Sequence, residues 1–217
     1  MNRQFDDRVS KVLGENRVIA VVVLDRAEDA PKLADALLAG GVKAVELTLR
    51  TPAAVDALTA MKKHAAELVV GAGTVLFPDQ VKQVVDSGAD FAVAPGLNPR
   101  IIEEARKLDL PFAPGVATAS EIEQALSLGL RVLKFFPVEA LGGMAYLKSV
   151  AGPYSYLEPT FIPLGGLRAE NVKPYLESPL VAAVGGSWIA KRDVIAAGDW
   201  DVITKHASEA TKIAASA

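Results

Sequence analysis

The segment SLGLRVLKFF (127–136) contains the end of a helix, a glycine and the start of a buried strand. Gly129 is typical of a left-handed helix C-cap. The residues after it are mostly apolar and branched or aromatic, as in a strand that is covered on both faces. The same order of helix, glycine and strand recurs in AGGVKAVE (39–46) and DSGADFAV (86–93). This repetition predicts parallel strands that are connected by helices.

Eight short apolar runs of this kind are spread along the chain. They are VIAVVVL (18–24), AVELTL (44–49), LVVGAG (68–73), DFAVAP (90–95), LPFAPG (110–115), RVLKFF (131–136), TFIPLG (160–165) and LVAAVG (180–185). The stretches between them carry apolar residues at helical spacing, as at Leu33 and Leu37. No linker divides the chain, so we predict a single domain over residues 1–217, a closed (β/α)8 TIM barrel. An open flavodoxin-like sheet is the structural alternative.

Both ends of the chain are predicted to be helical. Residues 2–14 form an extra helix ahead of the first strand, and this helix is a candidate to plug the bottom of the barrel. The tail from Asp199 to Ala214 carries apolar residues at helical spacing and is predicted as the last helix.

Composition and charge restrict the class of partner. The chain is 51% hydrophobic and 23% charged, with a formal net charge of -3 and no run of like charges that would suit nucleic acid or a membrane surface. We therefore expect a small-molecule substrate. The absence of cysteine excludes thiol nucleophiles and cysteine-ligated metals, and two histidines are too few for a metal site built on imidazoles, so a metal-dependent mechanism of that kind is not expected. The opening residues do not resemble a secretion signal and no run is long enough to span a membrane, so a cytoplasmic location is expected.

Lys134 interrupts the apolar run RVLKFF (131–136). Strand alternation places Lys134 on the same face as Phe136, opposite Leu133 and Phe135. Poor hydration disfavours the ammonium form, and the neutral amine is the species that attacks a carbonyl carbon. The sequence therefore predicts a Schiff-base lysine. A buried lysine that is paired with a carboxylate for structural reasons is the alternative.

A second interruption lies in AVELTLRT (44–51), where Glu46, Thr48 and Arg50 share one face of the strand. Glu46 is a candidate general acid and base, acting directly or through a water. Arg50 is a candidate clamp for a substrate carboxylate. The alternative is a purely structural salt-bridge cluster of Glu46, Lys134 and Arg50, which is costly in a layer that ordinarily holds aliphatic residues.

Three glycine-containing segments lie at the ends of predicted strands. Gly165-Gly166 and Gly185-Gly186, the latter followed by Ser187, lie where barrels commonly bind phosphate through backbone N–H groups. Ordinary strand-to-helix turns are the alternative. The segment GAGT (71–74) leaves space for a ligand beside the Thr74 hydroxyl, although glycine at a strand end is also a common turn residue.

An ordered set of motifs resembles the bacterial 2-keto-3-deoxy-6-phosphogluconate aldolase family. The motifs are AVELTLRT (44–51), VGAGTV (70–75), APGLNP (94–99), KFFPVEALGG (134–143), AGPYS (151–155), PLGG (163–166) and GGSW (185–188). The resemblance implies a class I aldolase that cleaves this sugar acid phosphate to pyruvate and glyceraldehyde 3-phosphate, the last step of the Entner-Doudoroff pathway. It also implies a homotrimer of barrels that needs no cofactor. Members often also cleave 4-hydroxy-2-oxoglutarate.

The resemblance also implies a role for each matched residue. Lys134 is the Schiff-base lysine and Glu46 the general acid and base. Arg50 and Thr74 hold the carboxylate derived from pyruvate. The remaining matches are the phosphate ligands Gly165, Gly166, Gly186 and Ser187, and the pocket residues Pro95, Phe136 and Leu164.

One matched position departs from the family. Where the family usually has threonine before the glycine pair, this chain has Leu164, and the related 2-keto-3-deoxy-6-phosphogalactonate aldolases carry an apolar residue there. The galactonate epimer and 4-hydroxy-2-oxoglutarate are therefore alternative substrates. An isomerase or epimerase on the same fold, and a non-catalytic phosphometabolite sensor, are alternatives of other classes.

Overall fold

The computed structural model describes residues 4–217 of the chain, which alternate between short strands and helices. The strands are β1 (Val18–Val22), β2 (Ala44–Thr48), β3 (Val69–Gly73), β4 (Phe91–Val93), β5 (Phe112–Ala113), β6 (Gly115–Val116), β7 (Val132–Phe135), β8 (Thr160–Pro163) and β9 (Val184–Gly186). The α-helices are α1 (Asp7–Asn16), α2 (Ala30–Ala39), α3 (Ala54–His64), α4 (Pro78–Asp86), α5 (Pro99–Lys107), α6 (Ala119–Ser127), α7 (Gly143–Ala151), α8 (Lys173–Leu176), α9 (Arg192–Ala197) and α10 (Trp200–Ala215). Turns of 3-10 helix occupy Ala27–Asp29, Glu139–Leu141 and Gly152–Leu157.

The strands form two parallel sheets. One has six strands in the order β5-β4-β3-β2-β1-β9, and the other has three in the order β6-β7-β8. The predicted parallel α/β architecture is confirmed, but the structure has two sheets where the sequence predicted one eight-stranded barrel. The fifth predicted strand is divided at Pro114, which has no N–H to donate to a ladder. Its carbonyl still accepts from Lys134 N at 2.9 Å.

The two sheets also approach each other between β8 and β9. Phe161 and Val181 form an isolated parallel bridge, in which Phe161 N donates to Leu180 O at 2.7 Å and Ala182 N donates to Phe161 O at 2.9 Å. The last predicted strand (180–185) therefore begins with this bridge and continues as β9.

Side-chain alternation divides the apolar residues into two cores. Val45, Leu47, Leu133 and Phe135 belong to the larger core between the strands and the helices, as predicted. A smaller core lies on the opposite faces of the strands. Its members are Phe5, Val9, Leu13, Ile19, Ala44, Val69, Phe91, Val93, Ala113, Ile162, Leu164 and Ala183.

Helix α1 packs against the smaller core. The extra helix predicted over residues 2–14 is observed over Asp7–Asn16, so its predicted start was wrong for the described residues 4–6. The helix begins after Asp6, whose carboxylate caps it by accepting from Val9 N at 2.7 Å. Val9 and Leu13 of this helix belong to the smaller core. The ring of Phe5, just ahead of the helix, lies 6.0 Å from that of Phe91. Predicted residues 2 and 3 of this helix lie outside the described residues.

Gln4, shortly before α1, joins the two sheets through its side-chain amide. Its side-chain nitrogen donates to Phe112 O at 2.8 Å and to Val132 O at 2.6 Å. Its side-chain oxygen accepts from Arg131 N and Val132 N, both at 2.7 Å. One amide therefore satisfies backbone groups of β5 and β7, across the division at Pro114.

The C-terminal helix predicted for Asp199–Ala214 is observed as α10, with Asp199 as its N-cap. It packs on α2, where Thr204 Oγ1 donates to Ala36 O at 3.1 Å. Across residues 4–217, none of the helices combines the length and the hydropathy that crossing a membrane requires.

Candidate active site

Every site residue predicted from the sequence lines one cavity of about 200 Å³ at the carboxyl ends of the strands. These residues are Glu46, Arg50, Thr74, Pro95, Lys134, Phe136, Leu164, Gly165, Gly166, Gly186 and Ser187. Val21, Thr48, Leu167 and Gly185 also line it, without having been predicted as site residues. The parallel strands bring these positions together because their carboxyl ends meet at one edge of the fold.

Lys134 and Glu46 form a buried ion pair at the base of this cavity. The Lys134 Nζ lies 3.0 Å from Glu46 Oε1 and 3.2 Å from Glu46 Oε2. The two residues are 5% and 3% exposed. Gly73 on β3 makes room for this arrangement, since a β-carbon there would collide with the Glu46 carboxylate. The amine is thus placed beside a carboxylate in surroundings that hold little water.

Arg50 is not part of this pair. It lies just beyond β2, is exposed, and within residues 4–217 pairs with no carboxylate of the chain. The three-residue salt-bridge cluster that was the structural alternative is therefore not formed. The guanidinium is left available for an anionic ligand at the mouth of the cavity.

Thr48 is the last residue of β2, lies on the same face of the strand as Glu46, and comes two residues before Arg50. It is 2% exposed, and its hydroxyl oxygen has no hydrogen-bond partner among the described residues. The sequence placed Thr48 on this face but gave it no role. The signal that could have found it was its position two residues from each of two candidate site residues.

The Gly165-Gly166 turn follows β8 and has a backbone that suits glycine. The φ angles are 96° at Gly165 and 85° at Gly166, in the left-handed region. A β-carbon on Gly166 would lie 2.7 Å from the Glu139 β-carbon. Glycine therefore satisfies both the backbone angle and the close approach of the Glu139 segment.

A network behind this turn was not predicted from the sequence. Asn171 Nδ2 donates to Gly166 O at 3.1 Å and to Glu139 Oε2 at 3.0 Å, and Glu139 N donates to Gly165 O at 3.1 Å. The Tyr175 hydroxyl donates to the other oxygen of Glu139. Burial, reinforced by this hydrogen bond, raises the pKa of Tyr175 and keeps the hydroxyl protonated. The network holds the turn in one conformation.

Apolar side chains and glycines form much of the remaining cavity wall, which also includes Thr74 and Ser187. The ring of Phe136 lies 6.0 Å from Lys134 Nζ. Leu164 is 6% exposed and packs over Gly185, where a β-carbon would lie 2.6 Å from the leucine side chain. Gly186 in turn leaves room for the ring of Trp188. The cavity thus combines a charged base, an apolar wall and two glycine turns.

This fold and cavity are those of a parallel α/β enzyme that holds an amine and a carboxylate side by side in a buried position, an arrangement suited to Schiff-base chemistry. The family model for KDPG and KHG aldolases matches residues 9–206, and the chain belongs to this aldolase family. It is 43% identical to the KHG/KDPG aldolase of Escherichia coli (strain K12) over 97% of this chain and 98% of that protein.

Solved structures agree with this assignment. The chain is 40% identical to the KDPG aldolase of Legionella pneumophila, solved with pyruvate captured as a covalent carbinolamine intermediate, with a TM-score of 0.87 over 92% of this chain and 96% of that one. It is 38% identical to the 2-keto-3-deoxy-6-phosphogluconate aldolase of Zymomonas mobilis ZM4, solved with 3-phosphoglycerate, with a TM-score of 0.84 over 94% of this chain and 95% of that one.

Proposed function

We propose that the protein is a Schiff-base aldolase that cleaves 2-keto-3-deoxy-6-phosphogluconate to pyruvate and glyceraldehyde 3-phosphate. The single observation that carries this proposal is the buried pair in which Lys134 Nζ lies 3.0 Å from the Glu46 carboxylate. An amine held in this way can lose its proton to the adjacent carboxylate and attack a ketone. The names of the relatives and the carbinolamine in the Legionella structure support the same chemistry.

The reaction begins when Lys134 attacks the C2 ketone and the resulting carbinolamine loses water to give an iminium. Glu46 then takes the proton of the C4 hydroxyl through a water molecule. The C3–C4 bond breaks, its electron pair enters the iminium to form an enamine, and the aldehyde phosphate leaves. Glu46 returns a proton to C3, and hydrolysis of the iminium releases pyruvate. No metal is needed, because the iminium itself accepts the electron pair.

The walls of the cavity bind the two ends of the substrate. Arg50 and Thr74 hold the carboxylate next to C2, which a guanidinium can bind through two hydrogen bonds. The backbone N–H groups of Gly165, Gly166 and Gly186, together with the Ser187 hydroxyl, hold the phosphate. Pro95, Phe136 and Leu164 line the space between these ends.

The two sheets form one closed (β/α)8 barrel in this proposal, and residues 1–217 form one domain. Two contacts support closure: β5 and β6 are separated by one residue, and the Phe161–Val181 bridge links β8 to the chain leading into β9. The family resemblance adds a homotrimer, and we propose a cytoplasmic location for it. Sedimentation at equilibrium should give about three times the chain mass of 22.8 kDa.

Borohydride trapping tests the mechanism directly. Mixing the protein with pyruvate and borohydride should attach a pyruvate-derived group to Lys134, and the Lys134→Met variant should lose both the adduct and nearly all turnover. Lys62→Met is the matched control, because Lys62 is another largely buried lysine, 2.7 Å from Asp90, outside the cavity. Lys62→Met should form the Lys134 adduct as the wild-type protein does. An adduct on another lysine of the folded wild-type protein, or no adduct at all, would contradict the proposal.

A coupled lactate dehydrogenase assay separates the other classes of function. Ligand binding without release of pyruvate would indicate a phosphometabolite sensor, and isomerisation without a covalent adduct would indicate an isomerase or epimerase.

The galactonate epimer is the second candidate substrate, because Leu164 presents an apolar side chain to the cavity. A side chain without a hydroxyl cannot hydrogen-bond the C4 hydroxyl that distinguishes the epimers. Turnover of the two epimers and of 4-hydroxy-2-oxoglutarate should be compared under the same conditions. A large preference for the galactonate form would overturn the gluconate assignment while leaving the mechanism intact.

A further inference from the structure

The Thr48 hydroxyl is a buried polar group that lacks a protein partner. It is 2% exposed, lines the cavity, and finds no hydrogen-bond partner within residues 4–217. Buried hydroxyls are nearly always hydrogen-bonded, because leaving one unpaired costs stability. A valine would fill the same space in β2 without that cost. The described residues supply no partner, and Thr48 lies where a molecule bound in the cavity can provide one.

The position of Thr48 along β2 identifies which part of a substrate it faces. Strand residues rise by about 3.3 Å each, so Thr48 lies roughly 6 to 7 Å beyond Glu46 on the same face of β2. The chain turns after Thr48, where Arg50 N donates to Thr48 O at 2.8 Å, so Arg50 follows directly at the mouth of the cavity. In a 2-keto acid the carboxylate carbon is bonded directly to C2. When C2 is bonded to Lys134 beside Glu46 and the carboxylate is directed to Arg50, Thr48 is the residue of the chain segment 46–50 that lies between these two ends and lines the cavity.

We infer that Thr48 is a catalytic residue whose hydroxyl donates a hydrogen bond to the C2 oxygen of the 2-keto acid. This inference rests on the proposed function. As the Lys134 nitrogen bonds to C2, the π electron pair of the carbonyl moves onto that oxygen, where a fixed donor stabilises the developing negative charge. The oxygen takes the proton that the nitrogen loses, relayed by Glu46, and becomes the carbinolamine hydroxyl.

The same hydroxyl then serves the dehydration step. Glu46 protonates the carbinolamine oxygen, the C–O bond breaks and water leaves, while the nitrogen lone pair forms the C=N bond. Thr48 accepts a hydrogen bond from the departing water and transfers no proton itself. A threonine hydroxyl suits both steps because it has one donor and two acceptor sites.

Two substitutions at this position separate the hydroxyl from the shape of the side chain. Thr48→Val keeps the shape and removes the hydroxyl, whereas Thr48→Ser keeps the hydroxyl. The matched control is Thr204→Val, since the Thr204 hydroxyl already donates to Ala36 O, far from the cavity in α10. Each protein is mixed with pyruvate for milliseconds and quenched with borohydride, and the mass of the Lys134 adduct gives the rate of imine formation.

Thr48→Val should form the imine roughly 100-fold more slowly, the loss typical of removing one donor to a developing oxyanion. Thr48→Ser should recover most of the rate, and the thermal unfolding midpoint of Thr48→Val should not fall. Thr204→Val should show the opposite pattern, with normal imine formation and a lower midpoint.

The inference is overturned if Thr48→Val forms the imine at the wild-type rate, whether or not C–C cleavage is slowed. It is also overturned if Thr48→Ser is as slow as Thr48→Val, because the effect would then belong to packing. Failure of the proposed function looks different, since the wild-type protein itself would then give no adduct.

Discussion

Removing the Lys134 amine should destabilise the protein by leaving the Glu46 carboxylate buried without a partner. At 3.0 Å between Nζ and Oε1, two unit charges attract by about 5 kcal/mol at an effective dielectric constant of about 20. Breaking one member of a buried pair commonly costs about 3 to 5 kcal/mol. We therefore expect Lys134→Met and Glu46→Gln each to lower the free energy of unfolding by roughly 3 kcal/mol or more.

The double variant should be more stable than either single variant, because it removes both charges together. Urea unfolding of the four proteins, at one pH and one protein concentration, gives the coupling energy of the pair, which should be about 3 to 5 kcal/mol. A coupling energy below about 1 kcal/mol is the value of a hydrated surface pair. That result would refute the argument that this lysine is poorly hydrated, on which its reactivity depends.

Three further predictions concern the cavity walls and the network behind the Gly165-Gly166 turn. Gly166→Ala should raise the KM for the phosphorylated substrate roughly tenfold or more, because φ is 85° there and the new β-carbon would lie 2.7 Å from that of Glu139. Exchange of the pyruvate methyl protons with solvent should persist in this variant, and loss of exchange would argue against a phosphate role. Arg50→Lys should weaken pyruvate binding, measured as the concentration needed for half-maximal trapping, while the adduct still forms, because a lysine cannot form the two-point contact. The raised pKa of Tyr175 means that the folded protein holds this proton more tightly than the unfolded chain, so stability should fall as pH rises above about 10. Tyr175→Phe should flatten that fall in denaturant titrations between about pH 9 and 11, and an unchanged slope would exclude Tyr175 as its cause.

The meeting of Lys134 and Glu46 in one cavity was predictable from the sequence because two kinds of local information agree there. Strand alternation fixes which residues of AVELTLRT (44–51) and RVLKFF (131–136) share a face, and that depends only on backbone geometry. Charged residues inside apolar strands are costly, so Glu46 and Lys134 were conspicuous before any coordinates. The structure places them within hydrogen-bonding distance.

The support behind the glycine turn was not predictable in this way. Glu139, Asn171 and Tyr175 come from three separate segments, and nothing in their local sequence indicates that they share hydrogen bonds. Their contacts exist because β7 and β8 are neighbours and the segments that follow these strands fold back over the same edge.

Residue identity and alternation by themselves determined the parallel α/β architecture and the inward-facing residues, because both follow from the geometry of a single strand or helix. Only the tertiary structure decided that the fifth strand divides at Pro114, that Arg50 remains outside the buried pair, and that the Thr48 hydroxyl faces a cavity without a partner among the described residues. Each of these depends on how far apart atoms of distant segments finally lie. Such distances are set by packing across the whole fold, and no local stretch of sequence contains them.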